Sequence, residues 1–405
     1  MKKVKFNISE KNTIQLVTLF MQVIIVFFTI FFNIYVYNIS QNLNIVFAYN
    51  LFQVVINLIA DFFVFKIANS KNLKIIFQLS FVLATIATCL IFLINSDRLY
   101  MVFVVQLIYG VALGFFYYPK EVATMDKNTD KQMGKFVGIN SVLTLAVGAL
   151  SPFISGFVID YLSTYVLLGI VIICAVVCFL LTFNIKSYCQ IGERINFGVY
   201  FKQVNKIKTA RLGLLGYAFF KLSQAGMVDI LLPILIFMKT GGNFSVGLYS
   251  ALATFVAGIG LFLYVYFCKR KDIAVWVSTF VLVGVSITLF ISNSLVCFFI
   301  YYFTKKIIYE MLYNYTYSNI FTCTNNTWLQ PYKIEQRMTY VIYNRTFLIF
   351  GFVFALIIYN FVRSEISLTI ILAGLALLQI LSTTLAYLSY KTREKDWQKI
   401  EVSNS

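Results

Sequence analysis

The chain contains no histidine among its 405 residues. That absence removes imidazole proton relays, Ser-His-Asp nucleophiles and histidine-ligated metals, and with them most membrane-enzyme chemistries. Charge is scarce too: Asp, Glu, Lys and Arg make up 12% of the chain, against about 25% in a typical soluble domain. Proline numbers only four, so little interrupts long helices. No Gly-rich phosphate loop follows a strand, and no polar stretch is long enough to fold a nucleotide-binding domain, so ATP-driven chemistry by this chain alone is not expected. No pore-lining repeat or filter sequence suggests a channel. Seven cysteines, at 89, 174, 178, 189, 268, 297 and 323, show no metal spacing. Cys174 and Cys178 share a helix face, but no further ligand type accompanies them, so packing is expected, with no metal and no cofactor.

What the chain does have is hydrophobicity. Apolar residues make up 60% of it, and mean hydropathy is +0.82. A soluble domain of this length needs more polar surface, so lipid must be the solvent. A helix needs roughly 20 apolar residues to cross about 30 Å of hydrocarbon. Twelve candidate spans follow: 13–35, 43–65, 73–94, 99–119, 136–159, 164–185, 212–238, 244–267, 274–292, 295–321, 339–362 and 366–390. The runs are continuous instead of alternating, which predicts helices and not strands. Lys305, Lys306 and Glu310 interrupt the tenth. Lys2, Lys3 and Lys5 precede a first apolar block longer than a signal core, and no small-residue cleavage site follows it.

Orientation follows from Lys and Arg. Twelve spans put both termini on one side, and 26 of the 33 basic residues then lie on that side, three lie opposite (Arg98, Lys239, Arg363) and four fall inside spans. The positive-inside rule makes the rich side cytoplasmic. The net charge of +17 is accounted for by this topology and by attraction to anionic lipid head groups. The charges are spread over loops, so no nucleic-acid partner is expected. Short outer loops and basic inner loops suggest a bacterial cytoplasmic membrane.

The chain repeats at half length. A shift of about 200 residues brings the first span onto the seventh, Asn69-Ser70-Lys71 onto Lys269-Arg270-Lys271, the loop 120–135 onto 322–337, and Gly148 near Gly351. Four segments follow: a six-helix bundle over 1–185, a basic cytoplasmic loop over 186–211, a second bundle over 212–390 and a cytoplasmic tail over 391–405. Two parallel six-helix halves joined by a basic loop are one large transporter architecture.

Three stretches carry a resemblance. The region between spans two and three reads NLIADFFVFKIANSKNLKI. The fifth span contains GALSPFISGFVID, from Gly148 to Asp160, in which Gly148 and Gly156 permit close helix approach and Pro152 bends the backbone between them. The fourth contains QLIYGVALG. Over nearly its whole length the chain resembles the major facilitator superfamily. That family carries Gly-x-x-x-Asp-basic-x-Gly-basic-basic between spans two and three, a cytoplasmic latch. Here either Asp61 takes the acid's place at an unusual distance from Lys71, or Lys66 stands there, followed by Asn69-Ser70-Lys71; alternatively Asp61 is an interfacial acid pairing a nearby lysine. The fifth-span stretch is similar to a Gly-Pro pattern common in the family's exporters. Drug–proton antiporters of the family carry Arg-x-x-Gln-Gly in the fourth span. Here Gln106 replaces the Arg and Tyr109 the Gln, and only Gly110 fits, a departure from the usual antiport mechanism. The resemblance implies an all-α polytopic fold of twelve transmembrane helices in two six-helix bundles, acting as a monomer by alternating access.

The charges inside spans are the expensive residues, costing roughly 2.5–3.5 kcal/mol each at the bilayer centre. Lys221, Lys305 and Lys306 lie near the midplane, and Glu310 stands at i,i+4 from Lys306. Asp229 lies two turns beyond Lys221 and four residues before Pro233, while Arg345 is near enough to the inner interface to snorkel. These residues either line a substrate cavity or form structural ion pairs. The first half offers neutral polar groups instead: Asn33, Tyr35, Gln53, Asn57, Gln106, Tyr109 and Asn140. A basic excess within the membrane favours an anionic or zwitterionic substrate. The expected function is secondary transport of a small solute, leaning to efflux of an amphipathic or anionic compound with protons as coupling ion. Nutrient uptake, or a non-transporting immunity, sensor or assembly protein on the same scaffold, are the alternatives.

Overall fold

A computed structural model describes residues 9–67, 73–126, 130–185, 206, 208–224, 227–267, 271–291, 294–324, 345–354, 356–357, 359–360 and 365–404. The described residues are helical and contain no strand. Helix α1 runs Glu10–Ser40 and includes a π segment at Phe27–Phe31. Then follow α2 (Leu43–Ile67), α3 (Leu73–Leu90), α4 (Met101–Asp126), α5 (Asp130–Tyr161) and α6 (Thr164–Thr182). The second half holds α7 (Lys208–Gln224), α8 (Met227–Thr240), α9 (Asn243–Phe267), α10 (Lys271–Ile291), α11 (Leu295–Thr324), α12 (Arg345–Phe354) and α13 (Glu365–Asn404).

Eight helices among the described residues are long and apolar enough to cross a membrane. The other four expected spans are helical over their described residues. Three hold shorter apolar stretches, at Ile230–Thr240, Asp272–Thr288 and Arg345–Phe354. The fourth is α11, whose midplane charges lower its hydropathy. The seventh span, expected over 212–238, is helical on both sides of residues 225 and 226, which lie outside the described ones, as α7 and α8. The last span, expected over 366–390, contains the apolar stretch Ala373–Thr392, and its helix continues through the expected tail to Asn404. Lys, Arg, Glu and Gln are good helix formers, so leaving the hydrocarbon gives the helix no reason to stop.

Local chemistry sets the helix ends. The Ser9 hydroxyl accepts the Asn12 N–H, and the Ser163 hydroxyl accepts the Val166 N–H, each an N-cap satisfying a helix-start donor. Two helix-ending turns, one in each half, match. Gln41 (φ 48) ends α1 and Gly241 (φ 72) ends α8, both in the left-handed region and 200 positions apart. Each returns its N–H to a carbonyl four residues back, that of Tyr37 or Phe237. The repeat therefore extends to individual turn conformations.

The contacts divide the chain into two compact units. One comprises 1–193 with 229–255, the other 194–228 with 256–405. In the first, α1 packs on α6, α2 on α4, and α3 on both α4 and α6. In the second, α7 packs on α13, and α10 on α13 and α11. Spans one and six thus pair as seven and twelve do, and three and six as nine and twelve do. Helix α3 shows how the faces divide. Phe77, Phe81, Ala84 and Ala87 are buried, whereas Ile75, Leu79, Val82 and Ile86 face outward with an apolar surface suited to lipid.

Polar groups stitch the first unit at the end of α6. The Asn184 amide donates to Thr13 Oγ1 at 2.9 Å, and the Cys178 thiol points at the Val17 carbonyl at 3.6 Å. Lys74 Nζ donates to the carbonyls of Phe183 at 3.0 Å and Ile185 at 2.5 Å, just past the end of α6. A cation there complements the negative helix terminus and satisfies orphan carbonyls. Replacing it (Lys74→Met) is expected to destabilise the first unit by about 1 kcal/mol, read as a lower unfolding midpoint in detergent.

Candidate functional site

The membrane-embedded charges gather mainly in the second unit. Helix α7 carries Lys221 one turn after Tyr217, so both fall on one face. The Lys221 Nζ lies 5.4 Å from the Tyr217 ring centre, 5.7 Å from that of Phe220 and 5.1 Å from that of Tyr313 on α11. Three aromatic faces around one ammonium form a cation–π cradle within the membrane span. The Tyr309 and Tyr313 rings stack at 6.0 Å and 8°, and Phe220 lies 5.5 Å from Tyr309. Glu310 stands between those two tyrosines on α11 and is half-buried. Lys305 is only 6% exposed. Lys306 Nζ lies 6.0 Å from the Tyr302 ring centre. Arg345, half-buried, opens α12, where Phe347 meets Phe219 of α7 at 6.1 Å. The structure thus brings Lys221 beside α11, the helix that carries Lys305, Lys306 and Glu310. Asp229 belongs to the other unit, and its side chain lies outside the described ones.

The first unit holds the neutral counterpart. The π turn at Phe27–Phe31 loosens backbone carbonyls, and the Asn33 side-chain amide donates to those of Phe28 at 3.3 Å and Thr29 at 2.5 Å. Asn33 Oδ1 accepts from the Tyr49 hydroxyl and, at 2.7 Å, from the Asn50 amide. The Phe28 ring stacks on Tyr109 at 3.7 Å and 12°. Below this cluster on α2, Asn57 and Asp61 are both 0% exposed. Asp61 is therefore enclosed by protein rather than solvated. Lys66 is exposed at the end of α2, and Lys71 and Asn140's side chain lie outside the described residues. Gln106 is 1% exposed, and its Oε1 has no hydrogen-bond donor among the described residues.

The motif-like glycines act at helix crossings. A Cβ on Gly110 would meet the Gln53 carbonyl at 2.9 Å, and one on Gly114 would meet the Ala60 Cβ at 2.6 Å, so α4 lies directly on α2. On α5, a Cβ at Gly148 would lie 3.7 Å from Thr254 of α9, and one at Gly156 would strike the Asn243 carbonyl at 2.5 Å. Gly247 of α9 faces the Pro152 carbonyl so closely that no Cβ fits. Gly156, Pro152 and Gly247 thus make a small-residue crossing within the first unit.

Sequence alone did not pick out the aromatic cradle of Lys221 or the π turn. The spacing of Tyr217 and Lys221 at i,i+4 was visible, but Tyr309 and Tyr313 join them only through tertiary packing.

Solved structures share this architecture. The nucleoside transporter NupG aligns with a TM-score of 0.70 at 9% identity, covering 94% of this chain and 100% of that one. A D-xylose–proton symporter aligns at 0.67 and 11% identity, over 94% of this chain and 98% of the other. An outward-facing bacterial homologue of the iron transporter ferroportin aligns at 0.64 and 12% identity, over 95% and 100%. No protein-family model matches the chain, and no curated protein matches it by sequence. At these identities the likeness concerns architecture: the chain shares the all-helical fold of these solved structures.

Proposed function

We propose that this chain is a secondary transporter that moves a small solute across a bacterial cytoplasmic membrane by alternating access, with both termini cytoplasmic. The solved structures of similar architecture include a nucleoside transporter and a proton symporter, which supports the class. We further propose export of an anionic or amphipathic compound coupled to protons, by a monomer whose two rigid six-helix bundles, 1–185 and 212–390, rock about a central site. The observation that carries the substrate class is the Lys221 ammonium in its aromatic cradle, next to the helix bearing Lys305 and Lys306. Cations outnumber carboxylates in these spans, and rings beside them suit an apolar body attached to a negative group. Gln106 supplies a buried acceptor that a substrate donor or bound water completes, since leaving it empty costs about 1–3 kcal/mol.

The test works with an unidentified solute. The chain is expressed in a bacterial host, and intracellular and medium metabolites are compared with and without a protonophore, alongside growth across a toxin panel. Expected is an anionic compound displaced outward only by cells expressing the chain, and only while the gradient stands. Displacement that survives the protonophore would remove the proton coupling. Inward displacement would reverse the direction.

A further inference from the structure

Asp160 ends the fifth span with a carboxylate that engages another helix directly. Its Oδ1 accepts from the Asn243 side-chain amide at 2.8 Å, and its Oδ2 accepts the Phe244 backbone N–H at 2.7 Å. Asn243 and Phe244 are the first two residues of α9, where backbone N–H groups lack intrahelical partners and the helix dipole is positive. The same end of α9 is clamped by rings. Phe244 lies 5.6 Å from Phe153, 6.4 Å from Phe157 and 6.0 Å from Tyr161, three residues on one face of α5. Beneath the clamp the backbones meet at Gly156 and Gly247, where a single Cβ does not fit. Behind it lies a cavity of about 50 Å³, lined by Asn243, Ile159, Thr164, Tyr35 and Asn38 among others, which has room for waters but not for a metabolite.

Two features point to a device and not to inert packing. Asp229–Phe255 lies in the second half of the sequence repeat, yet it clusters with the first six spans. The Asp160 contact therefore ties the two sequence halves together within one compact unit. The bonds that make the tie are also weak enough to break. Both hydrogen bonds are exposed, and exposed bonds and helix-terminus charges each change an equilibrium by a factor of about two to ten. Transporter conformations differ by free energies of that order.

We propose that Asp160 and the first turn of α9 form an outer latch, which closes the extracellular side and opens once per transport cycle. The placement outside uses the orientation expected from the basic loops, and the cycle rests on the transporter reading above. The test reads conformation without a substrate. In a chain freed of its seven cysteines, Ser250→Cys on α9 serves as reporter, because Ser250 is buried at 2% exposure three residues after Gly247. A membrane-impermeant maleimide is applied to intact cells. With Asp160 present, labelling is expected to be slow. Asp160→Ala is expected to raise the rate about tenfold, and Asn243→Ala, a milder cut that leaves the Phe244 bond, by a few-fold. Equal rates in both variants and the parent would overturn the latch, and so would labelling confined to inside-out vesicles. Asn243→Ala keeps the test decisive if Asp160→Ala does not accumulate. Faster labelling without gradient-driven solute movement would leave the latch standing and remove the transport reading.

Discussion

Placing leucine at position 216 (Gly216→Leu) is expected to separate α7 from α13 and to unfold the second unit well below the parent's midpoint. A Cβ at Gly216 would lie 2.8 Å from the Ala386 nitrogen, 3.2 Å from its Cα and 3.3 Å from the Leu385 carbonyl carbon. These are backbone atoms, which cannot rotate away. The rest of the seam depends on that distance. The Ser382 hydroxyl donates to the Gly216 carbonyl at 2.8 Å, and the Ser389 hydroxyl to that of Thr209 at 2.9 Å. The Ser223 hydroxyl donates to Gln379 Oε1 at 2.6 Å. Thr209, Gly216 and Ser223 recur every seven residues, so one stripe of α7 meets α13. Pushing the helices apart loses several buried hydrogen bonds at about 1 kcal/mol each, on top of about 1–3 kcal/mol for overpacking. Thermal unfolding in detergent measures the effect. Gly216→Ala should show a smaller drop in the same direction, and Gly169→Ala, with no atom within 4 Å of its Cβ, should show almost none. A Gly216→Leu midpoint equal to the parent's would mean that α7 and α13 do not pack this way.

This seam marks where sequence legibility stops. Hydropathy predicted twelve spans, and eight described helices are long and apolar enough to be such spans, since hydropathy measures solvation by lipid. It ended the last span at Tyr390, because it senses hydrocarbon and not helix. The 200-residue shift was readable from loops, and the matching turns at Gln41 and Gly241 confirm it at the level of a dihedral angle. The candidate site was half legible. A charge inside a span is conspicuous because it is costly, so Lys221, Lys305, Lys306 and Glu310 stood out. Neutral polar residues are cheap and common in membrane helices. Nothing in the sequence therefore separated Ser382, which holds the α7–α13 seam, from Thr384, which returns its hydroxyl to its own helix at Ile380. The π turn leaves no sequence signal at all. It shows only through Asn33, whose amide satisfies the carbonyls that the turn releases.

Removing the ammonium at Lys221 carries the largest expected functional effect. Lys221→Met keeps most of the stem against Tyr217 and Phe220 but removes the charge, so packing changes little while the electrostatics of the site change fully. A charge-assisted contact to an anionic solute is worth about 1.5–3 kcal/mol, which corresponds to about a ten- to hundredfold loss of affinity. Half-saturation of export is expected to rise by that factor for the anionic solute, and hardly at all for a neutral analogue of the same shape. Lys221→Arg is expected to lie between the two, since guanidinium keeps the charge and stacks on rings, but is larger and planar. Glu310→Gln asks a separate question on the neighbouring helix. If its carboxylate carries the coupling proton, the variant should still equilibrate solute down its own gradient but no longer accumulate it against one. Unchanged affinity in Lys221→Met, for charged and neutral solutes alike, would assign the aromatic cradle to structure and remove the anionic substrate class. Unchanged accumulation in Glu310→Gln would move the coupling proton elsewhere, with buried Asp61 on α2 the next carboxylate to neutralise.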